Sequence, residues 1–293
     1  MFSDDSAFRY LVVFMKRIGI LYHPMKEDSY VLARKLAGFL ELNNLSPWLC
    51  SAWESDTVRE QVDGTDLVLS VGGDGTILRA AQAVIPQPVP ITGINLGRLG
   101  FMTDLSVDEV EERLPALLAG EGWIDQRSLL EVNITIQDEE QESTGTFYAL
   151  NDAVVARGAV ARLIYLEACI DDQPLTAYKA DGVIIATATG STGYALAVGG
   201  PILHPQAEEV LLLPIAPHLS SPYVMVLPAA VIVKLKLITT HPATLGVDGH
   251  INVPLPDGAI VTVRRSANTV RFLRSYREIS FYSSLEQKLR GKQ

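Results

Sequence analysis

The stretch DLVLSVGGDGTILRAAQAVI, residues 66–85, decides the fold. Its first part is an apolar run that ends at Gly72 and Gly73, and TILRAAQAVI then opens a helix, so a strand passes through a glycine turn into a helix. The amides of Gly72, Gly73 and Gly75 lie where a helix N-terminus attracts an anion. Asp74 places a negative group in the middle of that cradle. Such a carboxylate is tolerable among phosphates if it holds Mg²⁺ or accepts the proton of an attacking hydroxyl, and both roles mean phosphoryl transfer. A bland alternative has Asp74 capping the helix and binding nothing, and the loop alone leaves the two open. The loop is not a P-loop, because no Gly-Lys-Ser/Thr follows, and it lacks the third glycine and the later acid of a dinucleotide fingerprint.

Upstream and downstream of this turn the first 125 residues keep alternating. RIGILYHP, DLVLSVGG and VPITGINLG read as strands; SYVLARKLAGFLELNN, TILRAAQAVIP and SVDEVEERLPALLAG read as helices. That alternation predicts strand–helix units around a parallel sheet. In the last helix Ser106 and Glu109 have capping-box spacing, and Val110, Leu114, Leu117 and Leu118 share one face, which must be buried. After about residue 126 the pattern becomes a series of extended runs, LLEVNITIQ, TFYALNDAVVA, RLIYLEACID, DGVIIATAT, YVMVLPA, VIVKLKLIT and AIVTVRR, parted by turn-rich pieces. EISFYSSLEQKLRGK reads as a final helix that returns to the first domain. The expected fold is an α/β N-terminal nucleotide-binding domain plus a β-rich, β-sandwich-like second domain, divided as 15–127 with 270–293, and 128–269.

Composition bounds the function. With 293 residues, 48% hydrophobic and 20% charged, the chain can bury a core of one large or two ordinary domains. Its net charge of −10 would repel a nucleic-acid backbone, so bound phosphates should be few and held locally. Cys50 and Cys169 suit neither a disulfide framework nor a zinc site, and the five histidines are dispersed. YLVVFMKRIGILY is too short to span a bilayer and is broken by Lys16 and Arg17, so a cytoplasmic protein with no membrane partner is expected. Residues 1–14 are expected to be an extension ahead of the first strand.

A second constellation occupies KADGVIIATATGSTGYALAVGGPILHP, residues 179–205, the segment richest in small residues. Such backbone admits a ligand closely. Tyr194 offers a ring to a purine, and Ser191 and Thr192 offer donors to phosphate or ribose; the competing reading is a tight corner with Tyr194 filling core. Asn151 with Asp152, and Asp181, are common turn residues, yet short acids and amides also suit ribose hydroxyls or a carboxamide.

Taken together, GGDGT at 72–76, GINLGRLGFMTDL at 93–105, Asn151-Asp152 and DGVIIATATGSTGYALAVGGPILHP at 181–205 closely resemble the NAD kinase family, in order and spacing, from about Ile18 onward. Lipid kinases share a GGDGT-like loop, but the GSTGY-to-GGPILHP block is similar to NAD kinases. The resemblance implies transfer of the γ-phosphoryl of ATP, or of polyphosphate, to the 2′-hydroxyl of the adenosine ribose of NAD, with Mg²⁺ or another divalent metal. It also implies Asp74 as the base or orienting carboxylate, and Gly72, Gly73, Gly75 and Thr76 shaping the phosphate loop. Asn151 and Asp152 would lie on the ribose and adenine side, Asp181 near the nicotinamide carboxamide, and Thr192, Gly193 and Tyr194 around an adenine. No fixed protein metal ligands are implied beyond a possible role of Asp74, with the metal carried on phosphates, and a homodimer or homotetramer is implied. The chain departs from the family in having Asp152 for a glutamate, Ala188 and Gly193 for a proline and an alanine, and Tyr223 where members often carry arginine. The alternatives are a same-fold lipid or small-alcohol kinase and a non-catalytic NAD-binding regulator.

Overall fold

The buried apolar runs of the first 125 residues become the strands of a parallel sheet in the computed structural model, which describes residues 15–97, 100–137, 142–158, 162–218, 223–239, 241–275 and 281–290. The expectation for residues 1–14, and Arg98 and Leu99 of the GINLGRLGFMTDL motif, lie outside the described residues. The chain divides into two compact units, Met1–Asp125 with Arg271–Gln293, and Gln126–Val270.

In the first unit the order is β1 (Arg17–Tyr22), α1 (Glu27–Leu42), β2 (Ser46–Ser51), α2 (Ser55–Gln61), β3 (Leu67–Val71), α3 (Asp74–Val84), β4 (Ile91–Asn95), β5 (Leu105–Ser106) and α4 (Val107–Leu118). Strands β2, β1, β3, β4 and β5 lie side by side in that order, all parallel. β3 and β4 are buried at every residue, as strands covered by helices on both faces must be. Helix α1 turns Leu32, Leu36 and Leu40 inward at four-residue spacing, each burial worth about 2 kcal/mol. Helix α4 begins with the capping box foreseen, the Ser106 amide donating to Glu109 Oε2 at 3.0 Å, and buries Val110, Leu114 and Leu117. The short helix α2 was not legible as a separate periodic run.

The second unit continues with β6 (Trp123–Gln137), β7 (Glu142–Ala149), β8 (Asp152–Arg157), β9 (Ile164–Ile170), β10 (Gln173–Ala180), β11 (Gly182–Ala186), a 3₁₀ turn (Thr189–Thr192), the single-turn α5 (Tyr194–Ala197), β12 (Val210–Ile215), β13 (Met225–Leu227), β14 (Ile232–Leu237), β15 (Ala243–Val247), β16 (Ile251–Leu255) and β17 (Ile260–Arg274). One sheet here has the order β7-β6-β17-β14-β9-β10, the other β13-β12-β11-β8-β15-β16, the latter antiparallel throughout. Their inner faces share a core that includes Val132, Val155, Ile185, Leu235 and Val261, the sandwich expected. β11 is apolar without alternation because both its faces are covered: Val183 and Ile185 point into the sandwich, while Ile184 and Ala186 pack under Ala195 of α5. The final helix α6 (Phe281–Arg290), with Arg271 onward, belongs to the first unit, and Phe272 pairs with Ile91 of β4.

One expected run is corrected. TFYALNDAVVA is two strands, β7 and β8, in different sheets. The break falls at Leu150–Asn151, where the amides of residues 150, 151 and 152 donate to the Asp248 carboxylate instead of to a neighbouring strand.

Candidate nucleotide-binding site

Within the first unit the glycine turn caps α3 with backbone alone. Gly73 is the N-cap and makes no side-chain cap bond, so Asp74 is the first helical residue and does not cap. Its carboxylate turns to the loop after β4: Oδ2 accepts from the Phe101 amide at 2.9 Å and Oδ1 from the Met102 amide at 3.0 Å. A Cβ on Gly100 would overlap this carboxylate, which explains the glycine at that close approach and why GGDGT travels with GINLGRLGFMTDL. One lone pair on each oxygen remains for a ligand. Gly73 and Gly75 have open space where a side chain would stand, while Gly72 backs onto the buried Thr76 side chain, so Thr76 shapes the turn from inside. Of the three glycine amides expected to cradle an anion, that of Gly72 is spent in the sheet, donating to the Ile94 carbonyl at 2.8 Å, which leaves Gly73 and Gly75 at the helix start.

Within the second unit a cleft of about 670 Å³ is lined by Asn151, Asp152, Arg157, Tyr194, Asp248 and Asn252 among others. Its floor is the turn between β7 and β8, and that turn is clamped from two sides. Asp248 Oδ1 accepts from the amides of Asn151 at 2.7 Å and Asp152 at 3.2 Å, Oδ2 accepts from Leu150 at 2.9 Å, and the Asp248 amide returns a bond to the Asp152 carbonyl at 3.0 Å. From the other side the Thr187 hydroxyl donates to the Leu150 carbonyl at 2.5 Å and its amide to the Asn151 carbonyl at 2.9 Å. A Cβ on Gly190 would run into the Asn151 carbonyl, so the small residues of TATGSTGY serve to bring the 3₁₀ turn against this floor.

Asp152 is 6% exposed, and among the described residues no hydrogen bond reaches its carboxyl group. Burial, and behind it the charge of Asp248, push this carboxyl up to about 7. Tyr194 stands at the start of α5 with 45% of its surface exposed, its ring available for stacking on a flat base. Gly193 leaves room beside the pair: a Cβ there would lie 3.2 Å from the Gly190 carbonyl, 3.6 Å from Asn151 Nδ2 and 3.8 Å from Asp152 Oδ2.

Three expected site residues turn out differently. Ser191 is fully buried; its hydroxyl donates to the Ala188 carbonyl at 2.6 Å and accepts from the Leu203 amide at 3.0 Å, so it ties the loop together. Thr192 is buried too, donating to the Thr189 carbonyl at 3.3 Å. Asp181 does not line the cleft; its Oδ1 accepts from Arg157 Nε at 2.7 Å, and Arg157 is the group that faces the cleft. Sequence reasoning missed Arg157, Asn252 and above all Asp248. The signal for Asp248 was its Asp-Gly pair between two apolar runs, a hairpin turn in which Asp248 and Gly249 take φ of 49° and 69°.

The comparisons agree with both halves. Residues 31–122 match the ATP-NAD kinase N-terminal domain and residues 150–275 the ATP-NAD kinase C-terminal domain. An NAD kinase of Dehalococcoides mccartyi is 47% identical over 276 residues, 94% of this chain and 96% of that protein. Among solved structures, yeast NADH kinase complexed with NADH has a TM-score of 0.77 at 23% identity, covering 93% of this chain and 87% of that one. An NAD kinase from Archaeoglobus fulgidus in complex with ATP has a TM-score of 0.74 at 27% identity, covering 94% and 99%. Likeness of this extent, carried through both units in order, leaves one assignment: the chain belongs to the NAD kinase family.

Proposed function

We propose that the chain converts NAD to NADP by moving the γ-phosphoryl of ATP onto the 2′-hydroxyl of the adenosine ribose. The observation that carries this reading is Asp74: a carboxylate at the mouth of an anion-attracting helix end, aimed by two backbone amides so that it cannot swing away. Phosphoryl transfer asks for little else from the protein than an aligned hydroxyl and compensated charge. In this scheme the 2′-oxygen attacks the γ-phosphorus, the bond from that phosphorus to the bridging oxygen breaks, ADP leaves, and the hydroxyl proton passes to Asp74 and on to solvent. The cleft of the second unit takes the NAD, with Tyr194 under the adenine and Asn151 and Asp152 at the ribose. The exposed Gly73–Gly75 amides take phosphate oxygens.

Among the described residues no three His, Cys, Asp or Glu side chains gather. The divalent cation implied by the family would be carried on the donor's phosphates and offset their charge there, and the steps above belong to the chain's own groups. We also propose a homodimer or homotetramer working in the cytoplasm; among the described residues no helix is long and apolar enough to cross a membrane. Purified protein given NAD, ATP and Mg²⁺, with product read by an NADP-specific dehydrogenase, tests the activity. Parallel wells replace NAD by NADH or diacylglycerol, and ATP by polyphosphate. Appearance of NADP supports the assignment, and its absence with either donor overturns it.

A further inference from the structure

Asp152 is an unusual group to find at the bottom of a cleft. It is a carboxyl buried to more than nine-tenths with no hydrogen bond to the described residues, and the charge that acts on it is that of another carboxylate, Asp248. Burial without a partner is costly for an acid unless a ligand supplies one. Asp248 stands behind it, spending its two oxygens on the three successive amides of Leu150, Asn151 and Asp152, so it cannot turn away. Near the pair, Arg127 donates from Nη1 to Thr189 Oγ1 at 3.3 Å. Arg157 gives its Nε to Asp181, Tyr194 is neutral, and His250 places Nδ1 3.1 Å from the Asp248 carbonyl. From β11 and the following loop come the uncharged residues Ala186, Thr187, Gly190 and Gly193.

We propose that Asp248 is the positioning residue of this cleft: it fixes the turn that carries Asn151 and Asp152, and through its charge it governs whether Asp152 meets the NAD ribose as a hydrogen-bond donor or an acceptor. The proposal rests on the placement of NAD in this cleft. The chemistry follows first from burial, which disfavours the ionised Asp152, and then from the charge of Asp248, which adds to it. Asp248, holding three amide donors, keeps the negative charge. Asp152, with none, keeps the proton until near neutrality, consistent with its raised titration. Protonated, it offers an O–H to a ribose oxygen; ionised, it accepts from a ribose hydroxyl. A glutamate at this position would carry its carboxyl one methylene further from Asp248, so the aspartate is what makes the coupling close.

The experiment follows the aspartate carboxyl carbons by NMR in the ligand-free protein, with Asp152→Asn identifying the signal, and measures NAD affinity by calorimetry from pH 5.5 to 8.5, a range of roughly three units around neutrality. The wild type is expected to show a carboxyl titrating near neutrality and an NAD affinity that changes severalfold across the same interval. Asp152→Asn should flatten that dependence. Asp248→Asn should lower its midpoint by about one pH unit or more, since removing a neighbouring charge leaves only burial to oppose ionisation. It should also raise KM for NAD more than it lowers kcat. A wild-type affinity indifferent to pH, or a midpoint unmoved in Asp248→Asn, overturns the proposal. If Asp248→Asn does not fold, the wild type and Asp152→Asn decide: a carboxyl signal that titrates in the ordinary range rejects it, and one near neutrality with matched affinity supports it. Should Asn151→Ala and Tyr194→Ala leave NAD affinity untouched, the placement of NAD fails instead, whatever the carboxyl titration shows.

Discussion

Asp74 serves two masters at the scale of a single residue, and the two can be separated by substitution. In the proposed reaction it faces the attacking hydroxyl; as a structural group it holds the 101 and 102 amides. Asn at this position keeps the size and one acceptor but points an amide donor at one of those N–H groups. Asp74→Asn is therefore expected to lower kcat by roughly two orders of magnitude or more, with NAD affinity nearly kept. It should also cost about 1–3 kcal/mol of stability from the mismatched amide, visible as a lowered denaturation midpoint. A variant that keeps its turnover and loses NAD affinity would make Asp74 a binding residue. Gly193→Ala tests the neighbouring half. The added methyl lands 3.2 Å from the Gly190 carbonyl, a contact relieved by a small shift, and alanine is what family members carry there, so NAD KM should stay within roughly twofold while the fold survives. A KM raised roughly tenfold or more would show that this loop packs against its ligand differently from loops that carry alanine. Asp74 was legible in the sequence because an acid among glycines is locally anomalous. Its amide partners were not, since they lie 27 and 28 residues away and depend on how two loops meet.

Elements were readable wherever one period dominated. The helices α1, α3 and α4 each showed a continuous apolar face, and the capping box of α4 was visible three residues apart. The second unit was harder, because β10, β15 and β16 carry polar or glycine positions that local pattern alone assigns to turns. The β15–β16 hairpin is the instructive miss, since it delivers Asp248 to a turn 96 residues earlier in the chain. At this scale the ends of β6 and β17 hold the Asp74 loop through a buried ion pair. Arg274 Nε and Nη2 contact Asp125 Oδ2 at 3.2 and 3.1 Å, and Nη1 donates to the Met102 carbonyl at 2.6 Å. Because Met102 donates in turn to Asp74, removing one member should reach the catalytic loop. Asp125→Ala leaves a buried guanidinium without its carboxylate and is expected to cost roughly 3–5 kcal/mol, with kcat falling further than folded fraction explains. Equal losses in activity and in folded fraction would confine this pair to stability.

Across the whole molecule the raised carboxyl of Asp152 ties stability to pH, and the sign can be worked out. Below the ordinary aspartate value of 3.8 both folded and unfolded chains carry the proton, so the site adds no pH dependence. Between there and about 7 the folded chain keeps a proton that the unfolded chain has released. Stability therefore falls as pH rises through that interval and levels off above it. The full span amounts to roughly 4 kcal/mol at 1.4 kcal/mol per pH unit. Asp152→Asn keeps the shape of the side chain and abolishes the ionisation. It should match the parent near pH 4 and exceed it increasingly up to pH 8, by roughly 5–10 °C in thermal midpoint for a protein of this size. Bound NAD should narrow the gap, because a ligand that partners the carboxyl stabilises the parent in the same pH range. A difference between parent and variant that stays constant from pH 4 to 8, roughly four units, would show that Asp152 titrates like an exposed acid. The cost that makes this acid destabilising in the empty cleft is the same one that a ribose hydroxyl would relieve. The molecule thus holds a costly buried acid where a ligand is well placed to compensate it.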